Sequence, residues 1–265
     1  MRLFLRIVRL SFQQQLTYRA AVLAGLATNF FFGLLRAAVI VALYAGKSEV
    51  NGLSLPAAIT YVAISQGLIA FLYTFGTWDM MATVYSGSIG SDLLKPLHLF
   101  ALWMARDLGR SLVNLVGRGV VLVFIFSWVY PVLVPNRLEQ WLALALALAM
   151  LLGWLVSFSW RFLVNLAAFW TPDARGVGRI AFTVSQFLSG FLMPLRLYPD
   201  WFSDFCKLTP FPALFNTAVE TYLGLLSGPE LWYALANQLF WFLALAAVAQ
   251  LALAAGIRRL MIQGG

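Results

Sequence analysis

Long apolar stretches alternate with shorter polar ones along this chain of 265 residues. A helix needs about 20 mainly apolar residues to cross a bilayer, and six stretches reach or approach that length. They predict membrane-spanning helices at residues 20–44, 57–77, 111–130, 140–161 with a helical tail to 170, 179–193, and 231–256. The fifth stretch is short for a full crossing, and a turn is expected at residues 135–139. The pattern predicts an all-α, polytopic membrane protein that forms a single domain over residues 1–265.

The first 19 residues show a helical repeat of a different kind. Arg2, Arg6, Arg9 and Gln13 follow helical spacing, and apolar residues fill the remaining faces. The charges recur through the segment and no small-residue cleavage site is seen, so we do not expect a secretory signal peptide. The pattern predicts an amphipathic helix over residues 1–19, which lies in the membrane interface with its basic side toward anionic headgroups.

The longest polar interruption in the first two thirds of the chain covers residues 78–110. Its centre, residues 86–97, reads Ser-Gly-Ser-Ile-Gly-Ser-Asp-Leu-Leu-Lys-Pro-Leu. The glycines permit a tight backbone, Asp92 can cap a short helix, and Pro96 ends that helix after about one turn. Apolar residues on such a helix predict a docking surface for another protein, formed by Gly87, Gly90, Asp92, Leu93, Leu94, Lys95, Pro96 and Leu97. The alternative is a helix that lies on lipid headgroups.

Residues 194–230, ahead of the last span, alternate proline with large aromatic side chains. This alternation predicts short broken helices that dip back toward the membrane, and such helices would complete the crossing that the short fifth span begins. Non-helical backbone at that depth must be buried in protein or line a wet cavity. The residues that mark this re-entrant segment are Gly190, Pro194, Pro199, Pro210 and Pro212. A surface loop with aromatic anchors is the alternative.

Charge is scarce, and its distribution predicts the orientation of the chain. Charged residues make up 11% of the sequence and the formal net charge is +8. Outside the predicted spans, one side holds eleven Lys and Arg residues: Arg2, Arg6, Arg9, Arg19, Lys95, Arg106, Arg110, Arg175, Arg179, Arg258 and Arg259. The other side holds four: Lys47, Arg137, Arg196 and Lys207. The positive-inside rule then predicts cytoplasmic termini and a cytoplasmic 78–110 loop, with residues 194–230 outside.

Two arginines lie deep in predicted spans, where an arginine costs roughly 2.5 to 3.5 kcal/mol on insertion scales. Arg36 and Arg118 predict a polar patch that faces a translocation path, and the glycines that flank Arg118 permit close helix approach. The alternative is a hydrogen bond to a neighbouring helix, with Asn29 or Asn114 as partner. Arg161 is expected near the cytoplasmic end of its span, where its long side chain reaches the headgroups.

The sequence offers little catalytic chemistry. His98 and Cys206 are each the only residue of their type, so neither a metal site nor a catalytic dyad nor an internal disulfide is expected. The Asp and Glu residues all lie outside the predicted apolar cores, so no proton relay of the kind used by ion-coupled carriers is predicted. No phosphate-binding loop is found either. We therefore expect a chain that is not itself an enzyme and binds no cofactor or metal.

These features resemble the membrane permease subunit of a bacterial type-2 ATP-binding cassette (ABC) exporter. The most specific parts are residues 87–97 and the Ser-Gly-Phe-Leu-Met-Pro run at residues 189–194, which is followed by spaced prolines and Gly224. The chain is similar in particular to a subgroup that includes the viologen exporter permeases. The resemblance covers nearly the whole chain.

The resemblance implies a half-transporter of the inner membrane. A second permease, identical or related, would pair with it, and two separate ABC ATPase subunits that bind ATP and Mg would dock at residues 87–97. A hydrophobic or amphipathic substrate, such as a drug, an organic cation or a lipid, would pass between the paired permeases along the first, second and fifth spans. The alternative is a stand-alone membrane enzyme or secondary transporter, which a buried acid would favour.

Overall fold

The computed structural model describes residues 1–17, 19–133 and 140–259, with only the backbone described for Arg19 and Gln140. The predicted turn at residues 135–139 and Arg137 lie outside these ranges. The described helices are α1 Arg2–Leu16, α2 Arg19–Tyr44, α3 Leu55–Leu72, α4 Asp79–Tyr85, α5 Ile89–Leu93, α6 Leu99–Asn114, α7 Val121–Phe126, α8 Gln140–Leu166, α9 Arg175–Leu188, α10 Asp200–Lys207, α11 Asn216–Tyr222 and α12 Gly228–Ile257. Strands β1 (Glu49–Val50) and β2 (Leu53–Ser54) pair as an antiparallel hairpin between α2 and α3.

Shorter helical turns connect some of these helices. A π-helical turn at Leu115–Val120 joins α6 to α7 into one continuous helix, and a 3₁₀ turn at Ala167–Phe169 extends α8. A second 3₁₀ turn, Leu195–Leu197, lies between α9 and α10. The fold is therefore all-α apart from the small hairpin, as the sequence predicts.

Five described helices are long and apolar enough to cross a membrane: Ala20–Tyr44, Leu55–Leu72, Leu99–Phe126, Trp141–Phe169 and Gly228–Ile257. Their positions match the first, second, fourth and sixth predicted spans within a few residues. The fifth predicted span corresponds to α9, whose 14 residues extend only about 21 Å, less than the roughly 30 Å of a hydrocarbon core. The chain is thus a multi-pass membrane protein with five described candidate spans.

The third span begins earlier than predicted. Its helix starts at Leu99 and not at Ser111, because the charged residues that read as a loop lie on a helix and are paired there. At about 1.5 Å per residue, the 28 residues from Leu99 to Phe126 extend about 42 Å. This length exceeds a hydrocarbon core by about 12 Å, or about eight residues, and Arg106 is the eighth residue of the helix.

Helix α3 is the centre of the bundle. Its residues from Ala57 to Leu72 are buried except Ile64, and α2, the α6–α7 helix and α8 surround it. The Ser54 side chain accepts the Ala57 N–H at the start, and Tyr73 ends the helix in the left-handed region at φ 49°.

A backbone contact between two glycines fixes how closely α3 approaches the third span. A Cβ atom added at Gly67 would lie 2.9 Å from the carbonyl oxygen of Gly119, and one added at Gly119 would lie 2.8 Å from that of Gly67. Gly119 belongs to the π-helical turn and directly follows Arg118. The contact with Gly67 therefore shows a close helix approach beside Arg118, as the flanking glycines predict.

The N-terminal segment is helical, as predicted, and one of its sides packs along α6. The half-buried side chains of Phe4, Ile7 and Val8 share that side with buried Ser11. Gly109 of α6 allows the approach, because a Cβ atom there would lie 2.8 Å from the Phe12 nitrogen. The arginines of α1 are exposed.

The segment before α12 consists of short broken helices, as the proline pattern predicts. Its second half, from Phe211 to Thr221, is almost entirely buried against α8 and α12. The Gln238 side chain of α12 donates hydrogen bonds to the carbonyls of Ala149 (3.0 Å) and Ala213 (2.8 Å), which joins three parts of the chain at one point.

Candidate functional site

The predicted docking segment, residues 86–97, contains the one-turn helix α5 and presents one fully exposed leucine. Leu94 is 87% exposed, while Leu93 and Leu97 are half-buried and pack against the core of the chain. Ile89 is fully buried and anchors the segment. Gly87 takes a left-handed conformation at φ 73° between α4 and α5, where a side chain would be strained. The structure therefore leaves Leu94 as the apolar side chain available to a partner.

Asp92 has a different role from the predicted helix cap. It is the fourth of the five residues of α5, which also contains Gly90. Its carboxylate is buried. Lys95 donates to it at 2.6 Å, and Arg106 of α6 donates two hydrogen bonds at 2.7 and 2.9 Å. Burial alone raises the pKa of Asp92, but the hydrogen bonds and charges of Arg106 and Lys95 outweigh burial and hold that pKa below its ordinary value. Asp92 thus fixes the docking segment to α6, and exposed Pro96 follows in the connection between them.

Helix α4 is attached on two sides. Asp79 accepts a hydrogen bond from Arg110 of α6. At its other end, the Tyr85 hydroxyl accepts the Ala174 N–H at 2.6 Å and donates to the Thr171 carbonyl at 3.3 Å. Helix α4 is therefore held to α6 and to the start of α9.

A buried ion pair joins α6 to α8. Arg161 and Asp107 form two hydrogen bonds of 2.6 and 2.9 Å, and both side chains are only 3% exposed. The Trp154 indole N–H also donates to Asp107 at 2.9 Å, and Arg161 Nε donates to the Ser157 hydroxyl at 3.3 Å. Both carboxylate oxygens thus accept charged or polar donors, and the pair is satisfied within the protein.

Two expectations from the sequence are wrong at this ion pair. The Asp and Glu residues were expected outside the apolar cores, but Asp107 is buried inside the third candidate span. Arg161 was expected to extend to the headgroups, but its guanidinium points inward to Asp107. The reason is the earlier start of α6, which carries Asp107 past α8. Because Asp107 is engaged by a guanidinium, it is unlike the free acid of a proton carrier.

Asn165 links the ion pair to α4, the helix that leads into the docking segment. Its Nδ2 donates to the Arg161 carbonyl at 2.8 Å and to the Thr77 carbonyl at 2.9 Å, and its Oδ1 accepts the Met81 N–H at 3.2 Å. Thr77 and Met81 flank the start of α4. A cavity of about 20 Å³, enough for one water molecule, lies between Asn165, Arg161, Asp107 and Trp103.

Arg36 contacts the end of α9. Its guanidinium donates to the Phe191 carbonyl and to the Leu192 carbonyl (3.2 Å), and its Cζ atom lies 4.6 Å from the centre of the Phe191 ring. Gln66 of α3, in the amide orientation that satisfies its neighbours, accepts from Arg36 at 2.9 Å. Carbonyls that follow a helix end suit a cation, which explains an arginine at this depth without a carboxylate partner.

Arg118 contacts the other end of α2. It donates to the Ala21 carbonyl at 2.5 Å and covers Gly25, where a Cβ atom would lie 2.7 Å from its Cζ. Neither arginine bonds to the side chain of Asn29 or of Asn114, the two partners that the sequence suggested, and Asn114 donates instead to the Tyr73 hydroxyl at 3.0 Å. Both arginines therefore connect α2 to other helices through backbone carbonyls.

The residues that the sequence predicts to mark a re-entrant segment lie at the bends between the broken helices. Gly190 is left-handed at φ 79° just after α9, and a Cβ atom there would lie 2.6 Å from the Tyr61 hydroxyl. Pro194 and Pro199 precede the Leu195–Leu197 turn and α10. Pro210 and Pro212 lie between α10 and α11, as the sequence and helix bounds show.

A polar cleft of about 780 Å³ opens between the broken helices and the start of α12. Arg196 donates to Glu220 at 2.8 Å on its wall, and Asn51 of the hairpin donates to the Arg196 carbonyl at 3.0 Å. Among the described residues that line the cleft, Arg196 and Glu220 are the only two that form an ion pair with each other. The cleft and the docking segment lie at opposite ends of the bundle.

A family model described as ABC-2 family transporter protein matches residues 27–264, which is most of the chain. No curated protein and no solved structure matches the chain.

Proposed function

The chain belongs to the ABC-2 family of transporter proteins, and from that premise we propose that it is the permease half of an ATP-driven exporter. A permease of this family is the membrane component of transport and is not itself catalytic. ATP hydrolysis then resides in separate ABC ATPase subunits, which bind ATP and Mg, and the chain carries no cofactor of its own.

The observation that supports ATPase docking most directly is the exposed Leu94. It projects from a segment whose backbone is fixed by Asp92 and Ile89, so the apolar side chain is presented without an ordering cost. A partner groove that buries it would gain about 1.5 to 3 kcal/mol. We place the ATPase contact at Gly87, Gly90 and residues 92–97.

Pairing with a second permease, identical or related, is supported by apolar faces that the chain leaves uncovered. Helix α9 exposes a stripe at helical spacing, formed by Val177, Ile180, Val184 and Phe187. Helix α2, which is mostly exposed, carries a similar face. We propose that these faces meet a second permease and that substrate passes between the two along α2 and α9, beside Arg36. Helix α3, the second predicted span, was also expected on this path, but it is buried inside the chain.

The sixth crossing is proposed to consist of α9 together with the buried part of the broken helices. The burial of residues 211–221 against two long helices supports this re-entrant arrangement, since unpaired backbone at membrane depth must be enclosed by protein. With it the chain crosses the membrane six times, and both termini and the docking segment lie in the cytoplasm of a bacterial cell. The proposed substrate is hydrophobic or amphipathic: a drug, an organic cation or a lipid, as in the viologen exporter subgroup.

The docking proposal is tested by Leu94→Asp, with Leu93→Asp as a companion. An unpaired charge in an apolar contact is strongly unfavourable, so the ATPase should no longer co-purify while permease abundance in the membrane stays normal. Leu208→Asp is the matched control, because Leu208, which follows α10 directly, is 76% exposed and lies far from the docking segment. Undiminished ATPase association and transport in both docking variants would reject this segment as the contact.

A further inference from the structure

We propose that the Asp107–Arg161 ion pair, together with Asn165, is a coupling joint that makes the docking segment move as one body with α6 and α8. The proposal rests on the ATPase docking proposed above and adds which helices follow the ATPase. In it, Asp107, Arg161 and Asn165 are positioning residues that contact neither substrate nor nucleotide.

The first link of the joint runs from the docking segment to α6. Two guanidinium–carboxylate contacts make it: Arg106 with Asp92 of α5, and Arg110 with Asp79 of α4. Arg106 and Arg110 lie one turn apart, on either side of Asp107. Helix α6 therefore holds α4, α5 and the buried ion pair within a single turn.

The second link runs from α4, which leads directly into the docking segment, to α8. The Asn165 side chain accepts from the backbone of Met81 and donates to the carbonyl of Thr77, so α8 holds the start of α4 by two hydrogen bonds from a side chain to the main chain. The same amide group donates to the Arg161 carbonyl, one turn earlier in α8. A movement of α4 is thus passed to the turn of α8 that carries Arg161.

The ion pair closes these two links into a triangle. Asp107 and Arg161 connect α6 and α8 through two hydrogen bonds in a buried place, where charge attraction is little weakened by solvent. Replacing a buried ion pair by apolar residues of similar size often leaves stability unchanged, whereas removal of one partner strands a charge. If the pair serves position and not stability, a variant in which both partners are apolar should still assemble but should lose coupling.

Helix α2 lies outside this triangle. Among the described residues, the side-chain hydrogen bonds between α2 and other helices involve Arg36, Arg118 and Gln66, and none reaches α4, α5 or Asp107. The joint then predicts that the docking segment moves relative to α2 during the ATP cycle, while its distance to the end of α8 stays constant.

The test uses the assembled complex with its ATPase in lipid nanodiscs, with Cys206→Ala as background. Spin labels at Ser91→Cys and Trp170→Cys report the distance from α5 to the end of α8. Labels at Ser91→Cys and Leu23→Cys report the distance from α5 to α2. Ser91, Trp170 and Leu23 are exposed. Distances are compared between the nucleotide-free and the vanadate-trapped complex.

We expect the Ser91–Leu23 distance to shift on trapping and the Ser91–Trp170 distance to stay constant. In Asp107→Leu/Arg161→Met the Ser91–Trp170 distance should also shift, with ATPase association retained and transport per ATP hydrolysed reduced about tenfold, within the range of coupling mutations. Asn165→Met, which leaves the ion pair intact, should give the same uncoupling. The control is Glu220→Leu/Arg196→Met, which removes the ion pair of the outer cleft and should leave the Ser91–Trp170 distance unchanged.

Equal shifts of both distances in the unaltered complex would overturn the joint, as would full transport by both the double variant and Asn165→Met. If the unaltered permease did not associate with the ATPase, or if neither distance shifted on trapping, the proposed function would instead be contradicted.

Discussion

At the scale of single residues, Arg36 and Arg118 bond to main-chain carbonyls and not to carboxylates. Arg36 illustrates this, because its partners are the carbonyls that follow α9 and the amide of Gln66. Arg36→Met should leave those carbonyls without a donor and destabilise the protein by about 1 to 3 kcal/mol. Arg36→Lys should recover part of this loss, whereas Arg179→Met, at an exposed position on α9, should cost little. Thermal unfolding in a single detergent measures all three, and an unfolding temperature of Arg36→Met equal to that of Arg179→Met would contradict the role.

Asp92 supports a prediction about pH. Its pKa is held below the ordinary value of about 3.9 by Arg106 and Lys95. A carboxylate with a lowered folded-state pKa stabilises fully above the unfolded-state pKa, and that stabilisation is lost as the pH falls through the folded-state pKa. Between pH 5 and 8 the attachment of α5 should therefore not depend on pH, while Asp92→Asn should loosen it at every pH in that range. Hydrogen exchange of residues 86–97 measures this, and faster exchange of the unaltered segment at pH 5 than at pH 8, after correction for intrinsic rates, would count against it.

The residue scale also shows where sequence alone fails. The short helix of residues 86–97 could be predicted, because glycines, an acid and leucines in a polar interruption form a local pattern. The ion pair could not, because Asp107 and Arg161 are 54 positions apart and nothing local connects them. Asp92 was placed at a helix start because acids favour that position, but here a long-range partner, Arg106, outweighs the local preference.

At the scale of the elements, glycine sets the distance between helices. The backbones of α3 and the third span meet at Gly67 and Gly119, which leaves no room for a Cβ atom. Gly119→Val should force the two helices apart and sharply reduce the amount of folded protein in the membrane. Gly117→Ala is the control, since its Cβ atom would lie 3.8 Å from the nearest side chain, Val22. Size-exclusion profiles of fluorescently tagged variants measure folding, and equal folded yields for the two would show that the contact tolerates a side chain.

The first and last residues of the spans show which helix bounds composition predicts and which depend on packing. Four spans were predicted closely, because their apolar composition leaves few alternatives. The start of the third span was missed, since charged residues resemble a loop unless their partners are known. The short α9 was predicted as a weak span, and its 14 residues are too few for a full crossing.

At the scale of the whole molecule, the proposed topology can be tested with single cysteines. Cys206 is fully buried, and burial raises the pKa of its thiol, so the native residue should react slowly with maleimide. In intact cells, an impermeant maleimide should label Asp204→Cys and should not label Ser91→Cys until the membrane is opened. Both positions are exposed, so access to the thiol does not confound the comparison. Labelling of Ser91→Cys in intact cells would invert the proposed orientation.

The hydrogen bonds of Gln238 bear on the order in which the chain is synthesised. Ala149 lies in α8 and Ala213 in the broken segment, but the side chain that joins them belongs to α12, the last long helix to leave the ribosome. Until α12 has inserted, the carbonyl of Ala213 has no such partner and the apolar side of α8 that α12 covers faces lipid. A nascent chain stopped before α12 would thus expose both to the proteases that degrade incompletely folded membrane proteins. The packing around α8 is therefore complete only after α12 has inserted.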